Sequence, residues 1–199
     1  LSGQSVREQQ APLRTAEQRR QFVALRQQLF RRDASNLAQR LVEGHISLAD
    51  WQREMKLLIK DLHVTCAVAA KGGDWRAMTP RDWGRVGAEC RKQYKFLARF
   101  AQDIFKRAQE GKPLTSAIAA RARLYAGAAR ATFSRIEQLV EKALGRTEVR
   151  WVTDPLVESC PDCLELEARG WMPIEELTQF PGDGSTQCDG NCHCHLEYR

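Results

Sequence analysis

Apolar residues recur at helical spacing through most of the chain and thin out near its end. Phe22, Leu25 and Leu29 fall three and four apart, and Leu37 and Leu41 continue that edge beyond a break expected near Asp33 to Asn36. Thr15 followed by Gln18 forms the capping-box pattern that opens this helix, and Gly44 closes it. Ser47 and Asp50 start a second helix, on which Leu48, Trp51, Met55, Leu58 and Leu62 make a packing face that Cys66 and Ala69 extend as far as Gly72-Gly73. Thr79, Pro80 and Asp82 supply a cap, a first-turn proline and a first-turn acid, so a third helix follows. It carries Trp83, Val86, Cys90, Tyr94, Leu97, Phe100, Ile104 and Phe105 on a broad apolar side and is expected to end near Gly111-Lys112-Pro113. A fourth begins after Leu114 or Thr115 and presents Ile118, Leu124, Tyr125, Ala128, Phe133, Ile136 and Leu139 up to Gly145. The small residues from Ala126 to Ala131 would let another helix approach closely, although good helix propensity is the simpler reading.

The pattern then changes. Val149 to Val152 reads as a short strand, and the segment beyond it offers little more apolar surface than Leu164, Leu166, Trp171, Met172, Ile174, Leu177 and Phe180. So small a core needs a metal or disulfides to hold it. The expected fold is therefore mainly α with a small α+β cysteine-rich C-terminal lobe. Residues 1–14 form a flexible arm, residues 15–148 a helical domain of about four amphipathic helices, and residues 149–199 the lobe.

Five of the seven cysteines lie in that lobe, as Cys160-x2-Cys163 and, after a gap of 24 residues, Cys188-x3-Cys192-x-Cys194, with His193 and His195 interleaved. Two soft ligands from one tight turn, met by two from another, are what a four-coordinate structural zinc requires. Seven candidates compete for four places, so counting leaves the ligand set open, and two disulfides are the rival arrangement.

Charge divides the chain at the same point. Residues 1–150 hold 29 Lys and Arg against 15 Asp and Glu, a net +14, whereas residues 151–199 hold 2 against 10, a net −8. The division permits an intramolecular contact, a nucleic-acid contact or docking on an acidic protein. The candidate phosphate or acidic-surface contacts are Arg19, Arg20, Arg31 and Arg32 in the first helix, Arg91, Lys92, Lys95 and Arg99 in the third, and Arg121 and Arg123 in the fourth. No base-reading motif accompanies them, so the expectation is at most nonspecific backbone contact. No apolar run is long enough to span a bilayer, and Leu1 to Arg20 lacks a signal-peptide core, so neither a membrane nor secretion is expected. Zinc hydrolases keep one position open for water and favour histidine ligands. Deaminases need a His-x-Glu and a proline before the cysteine pair, whereas Pro161 follows Cys160 here. The expectation is a protein that is not an enzyme.

Trp151-Val-Thr-Asp, Cys160-Pro-Asp-Cys163, Pro181-Gly182 and Cys188-Asp-Gly-Asn-Cys192-His-Cys194 together resemble the carboxy-terminal motif of phage head morphogenesis proteins, the Mu F-like minor head family. In that motif Cys160 and Cys163 match the first pair, Asn191 precedes the closing Cys192-x-Cys194, and Cys188 stands near the family's histidine, one residue farther from the closing pair. The resemblance covers residues 149–199 and is weaker over the helices. It implies a minor structural component of a tailed-phage head, placed in the virion and assembled in the host cytoplasm. Its partners would be portal or major capsid protein, with self-association and contact with packaged DNA. The given chain closes five residues after Cys194, so no effector domain is expected there. The first-choice zinc ligands are Cys160, Cys163, Cys188 and Cys194, with Cys192 or His193 as the alternative. The rival functions are a nonspecific nucleic-acid-binding protein with a structural zinc and a zinc-dependent enzyme.

Overall fold

A computed structural model describes residues 12–188 and 192–199. The chain is mainly helical, with a small three-stranded sheet and a cysteine cluster near its C-terminal end. Residues 1–11 of the expected arm lie outside the described residues. Leu13 is tied down instead of free, since its N–H donates to the Gly72 carbonyl at 2.9 Å.

Helix α1 (Ala16–Val42) starts at the Thr15 capping box and runs unbroken through Asp33–Asn36, where a break was expected. Ala34 and Ala38 are wholly buried there, and Ser35 Oγ turns back to the Arg31 carbonyl, so packing overrides the weak propensity of the polar run. Leu37 and Leu41 are buried as expected, whereas the first half of the buried edge is Val23, Gln27, Phe30 and Ala34, one position round from Phe22 and Leu29, and Leu25 stays exposed. Helix α2 (Leu48–Ala70) is the central element, with Trp51, Met55, Ile59, Leu62 and Cys66 buried and Trp51 meeting Phe100 edge-on. Helix α3 (Pro80–Gln109) buries Val86, Cys90, Leu97, Phe100 and Ile104 but leaves Trp83 and Phe105 exposed.

The expected fourth helix is two. Helix α4 (Ala117–Arg123) packs on α1, whereas α5 (Tyr125–Ala143) packs chiefly on α2 and also on α1 and α3. The chain turns between them at an exposed Leu124, because a single straight rod cannot serve both neighbours.

Strand β1 (Glu148–Val152) follows, then α6 (Pro161–Ala168), β2 (Met172–Pro173) and β3 (His195–Tyr198), in the antiparallel order β2-β1-β3. Val149 and Trp151 point inward at alternate positions of β1 and are essentially fully buried. With Leu166, Ile174, Leu177, Leu196 and three cysteines they form a second apolar cluster, separate from the helical core.

Candidate metal centre

The first cysteine pair sits at a helix start. Cys160 is the extended N-cap of α6, Pro161 fixes the first helical turn and Cys163 lies within that turn, so both sulfurs stand near the electropositive end of the helix. Two further contacts set this helix against the rest of the lobe. Thr153 donates its N–H and hydroxyl to the two carboxylate oxygens of Glu167, at 2.8 and 2.7 Å. Asp162, between the paired cysteines, accepts from the backbone and side-chain nitrogens of Gln187 at 2.8 and 3.2 Å, which brings in the adjacent Cys188.

The closing pair comes from the sheet. Strand β3 pairs with β1 so that His195 faces Val152 and Leu196 faces Trp151, which draws Cys194 and Cys192 under the buried tryptophan. The result is two triads, Cys160-Cys163-Cys188 and Cys163-Cys192-Cys194, each with its sulfurs within 4.8 Å of one another. Cys163 belongs to both and is 1% exposed. Its Sγ lies 3.7 Å from that of Cys188 and 3.9 Å from that of Cys192. These are free thiols at ion-sharing distance, since a disulfide would need about 2.05 Å. The expected residues Cys160, Cys163, Cys188 and Cys194 all gather, and the alternative Cys192 gathers with them. His193 stands outside both triads.

So many thiols resist ionisation together. Burial, then the neighbouring Cys192, pushes the Cys163 thiol far up, and burial lifts Cys188 to about 11. The Cys194 hydrogen bond, then burial, raises Cys192 strongly. Burial also acts against the Cys160 thiolate, but hydrogen bonds from Cys163 and Cys188 outweigh it and hold this thiol below its usual value. A cation at the centre would relieve the crowding and favour the thiolates. The cluster can hold a metal ion.

Arg130 of α5 connects this centre to the helices. Its Nη1 donates to the carbonyls of His193 and Cys194 at 2.8 and 3.1 Å, and its Nη2 donates to Gln27 Oε1 of α1 at 3.2 Å. Burial lowers its pKa, while the Cys192 and Cys194 sulfurs act to raise it. Nearby, a Cβ on Gly182 would lie 2.7 Å from the Gly127 carbonyl, so the lobe rests directly on the backbone of α5. The close neighbour at Gly127 is thus a turn of the lobe, where the small residues Ala126 to Ala131 had suggested another helix.

Acidic lobe and basic body also meet through Arg135 with Asp183 and Lys142 with Glu175, at 3.5 and 2.6 Å. The sequence reading assigned Arg130 no such role. A signal existed in Arg130, Ser134, Glu137 and Glu141, a polar stripe at spacings of four and three on an otherwise buried helix, which something must cover.

The ten cationic candidates do not converge on one place. They are spread over α1, α3 and the α4 region. No family model, curated protein or solved structure matches this chain. Among the described residues, no helix is long and apolar enough to cross a membrane.

Proposed function

We propose that the protein is a noncatalytic binding component in which a structural zinc clamps the C-terminal lobe onto a helical body, acting as a minor head-morphogenesis protein of a tailed phage. The observation that carries the zinc assignment is the spacing around Cys163. A tetrahedron with Zn–S bonds of about 2.3 Å has edges of about 3.8 Å, and the two sulfur separations at Cys163 are 3.7 and 3.9 Å. The thiols form two triads that share Cys163, and a fourth sulfur drawn to either triad would close a four-coordinate shell without water, which favours a structural ion over a catalytic one. Cys163 and three of Cys160, Cys188, Cys192 and Cys194 would be the ligands.

The head-assembly reading rests on the order of motifs, Trp151, Cys160-x2-Cys163, then Cys192-x-Cys194, which resembles that of the minor head family. In this role the helices and the lobe together present surfaces to portal or capsid protein, or to further copies. Co-expression with the portal and major capsid proteins of the same genome tests it. Recovery of the chain in assembled heads, with about one zinc per copy, is the expected result. Its exclusion from heads would overturn the assembly reading, and absence of zinc from reduced, freshly purified protein would overturn the metal reading.

A further inference from the structure

The ten cationic candidates separate once their partners are known. Arg19 is held by Glu137 and Glu141, Arg20 by Glu17, Arg32 by Asp33 and Arg121 by Asp103. Arg31 is only partly exposed. Arg91, Lys92, Lys95, Arg99 and Arg123 are exposed, and none of them is in an ion pair among the described residues. Four of these five lie on α3, where Lys106 is likewise exposed and unpaired.

A helix turns by about 100° per residue, which places Lys92, Lys95, Arg99 and Lys106 within an arc of about 60° and along a ridge of about 21 Å. Asp103 sits beside this ridge but is occupied by Arg121 at 2.7 Å. The other solvent-facing positions of the same arc are Arg81 and Ala88, with Gln102 at its margin, so the ridge has no apolar centre. A protein partner needs a desolvated apolar centre to bind well, whereas a phosphate backbone needs only spaced cations and repays them with counterion release. Single strands are held by stacking on aromatic platforms, and the exposed Phe96 stands to one side of the ridge. A straight, rigid ridge of this length matches about six base pairs of duplex.

We infer that the Lys92-Lys95-Arg99-Lys106 face of α3 binds the phosphate backbone of duplex nucleic acid without reading its bases. The inference is independent of the metal centre and of head assembly. Binding of the full chain to a labelled mixed-sequence duplex, followed by fluorescence anisotropy at rising salt, tests it. Four phosphate contacts predict that log affinity falls with log salt with a slope of about −3.6, equally for unrelated sequences. The double variant Lys95→Glu/Arg99→Glu should weaken binding at least about tenfold and flatten the slope by about 2, with the helical circular dichroism unchanged. Arg40→Glu, an exposed cation at the far end of α1, should leave binding as it is. Failure to bind duplex at low salt, or a double variant that binds like the parent, overturns the inference. Stronger binding to the single strand, lost in Phe96→Ala, or binding to polyglutamate but not to duplex, would overturn it in favour of a different partner.

Discussion

The sulfurs of Cys163 and Cys188 stand 3.7 Å apart although 24 residues separate them in the chain. Asp162 brings about this approach by gripping Gln187, so one residue beside each cysteine sets the distance between the two. Backbone and polar contacts thus help to set the sulfur spacing, and a bound ion would hold the same spacing.

Because Cys163 alone belongs to both triads, the five cysteines should not be equivalent. Cys163→Ser should abolish stoichiometric zinc and loosen the packing around Trp151, seen as a loss of near-ultraviolet circular dichroism. Cys194→Ser leaves Cys160, Cys163, Cys188 and Cys192 to close the shell and should keep about one zinc per chain. Equal zinc in the two variants, measured by atomic emission, would contradict the shared role of Cys163.

Arg130 gives a second prediction. Replacing it with leucine strips the His193 and Cys194 carbonyls of their donor and leaves Gln27 without its guanidinium partner. A buried acceptor left unpaired costs about 1–3 kcal/mol, and the part-buried Cys194 and Gln27 acceptors bear more of that loss than the exposed His193 carbonyl. Arg130→Leu should lower the urea midpoint and speed zinc transfer to a chelating dye. An unchanged transfer rate would mean that the helices do not support the centre.

Much of this arrangement was legible beforehand, for local reasons. The caps at Thr15, Ser47 and Thr79 each act within four residues, and the structure starts helices at all three. The cysteine spacing likewise reports a local demand. What could not be read depended on distant partners. Leu25 and Phe105 have the spacing of core residues, but whether a helix edge is covered depends on where its neighbours lie. The break at Leu124 follows from α4 and α5 packing on different helices, and nothing within that segment encodes the choice. Arg130 looked like any other arginine because its partners are carbonyls, which are present in every residue.

The contact between Gly182 and Gly127 should tolerate no side chain. Gly182 has a φ of 80°, and a Cβ there would meet a backbone oxygen at 2.7 Å, so neither rotamer change nor side-chain movement gives relief. Gly182→Ala combines an unfavourable left-handed conformation with a forced displacement of the lobe, at a cost of about 2–4 kcal/mol. Gly145→Ala, at a similar φ of 86° and with nothing within 4 Å of the added Cβ, bears the conformational penalty alone and should cost less. Urea unfolding of the two variants separates the effects, and equal losses would show that the backbone contact with α5 contributes nothing.

Glu137 provides a pH-dependent test of the interface. It lies buried on α5, paired with Arg19 of α1 at 3.4 Å, with Glu141 nearby and also the Tyr198 hydroxyl of the lobe, which has no hydrogen-bond partner among the described residues. Burial lifts its carboxyl from 4.5 to about 7, against the opposing charge and hydrogen bond of Arg19. The folded chain thus retains a proton that the unfolded chain has released, and the associated stability is full below 4.5 and lost as pH rises through about 7. Glu137→Gln keeps the shape of the neutral acid and removes the titration, while Glu141 still holds Arg19 at 3.0 Å. The variant should therefore gain on the parent as pH climbs from about 5 to about 8, read from urea midpoints at each pH. Since zinc loss in acid affects both chains alike, their difference isolates this carboxyl. A difference that stays constant across the range would show that Glu137 is ionised throughout, with Arg19 outweighing burial.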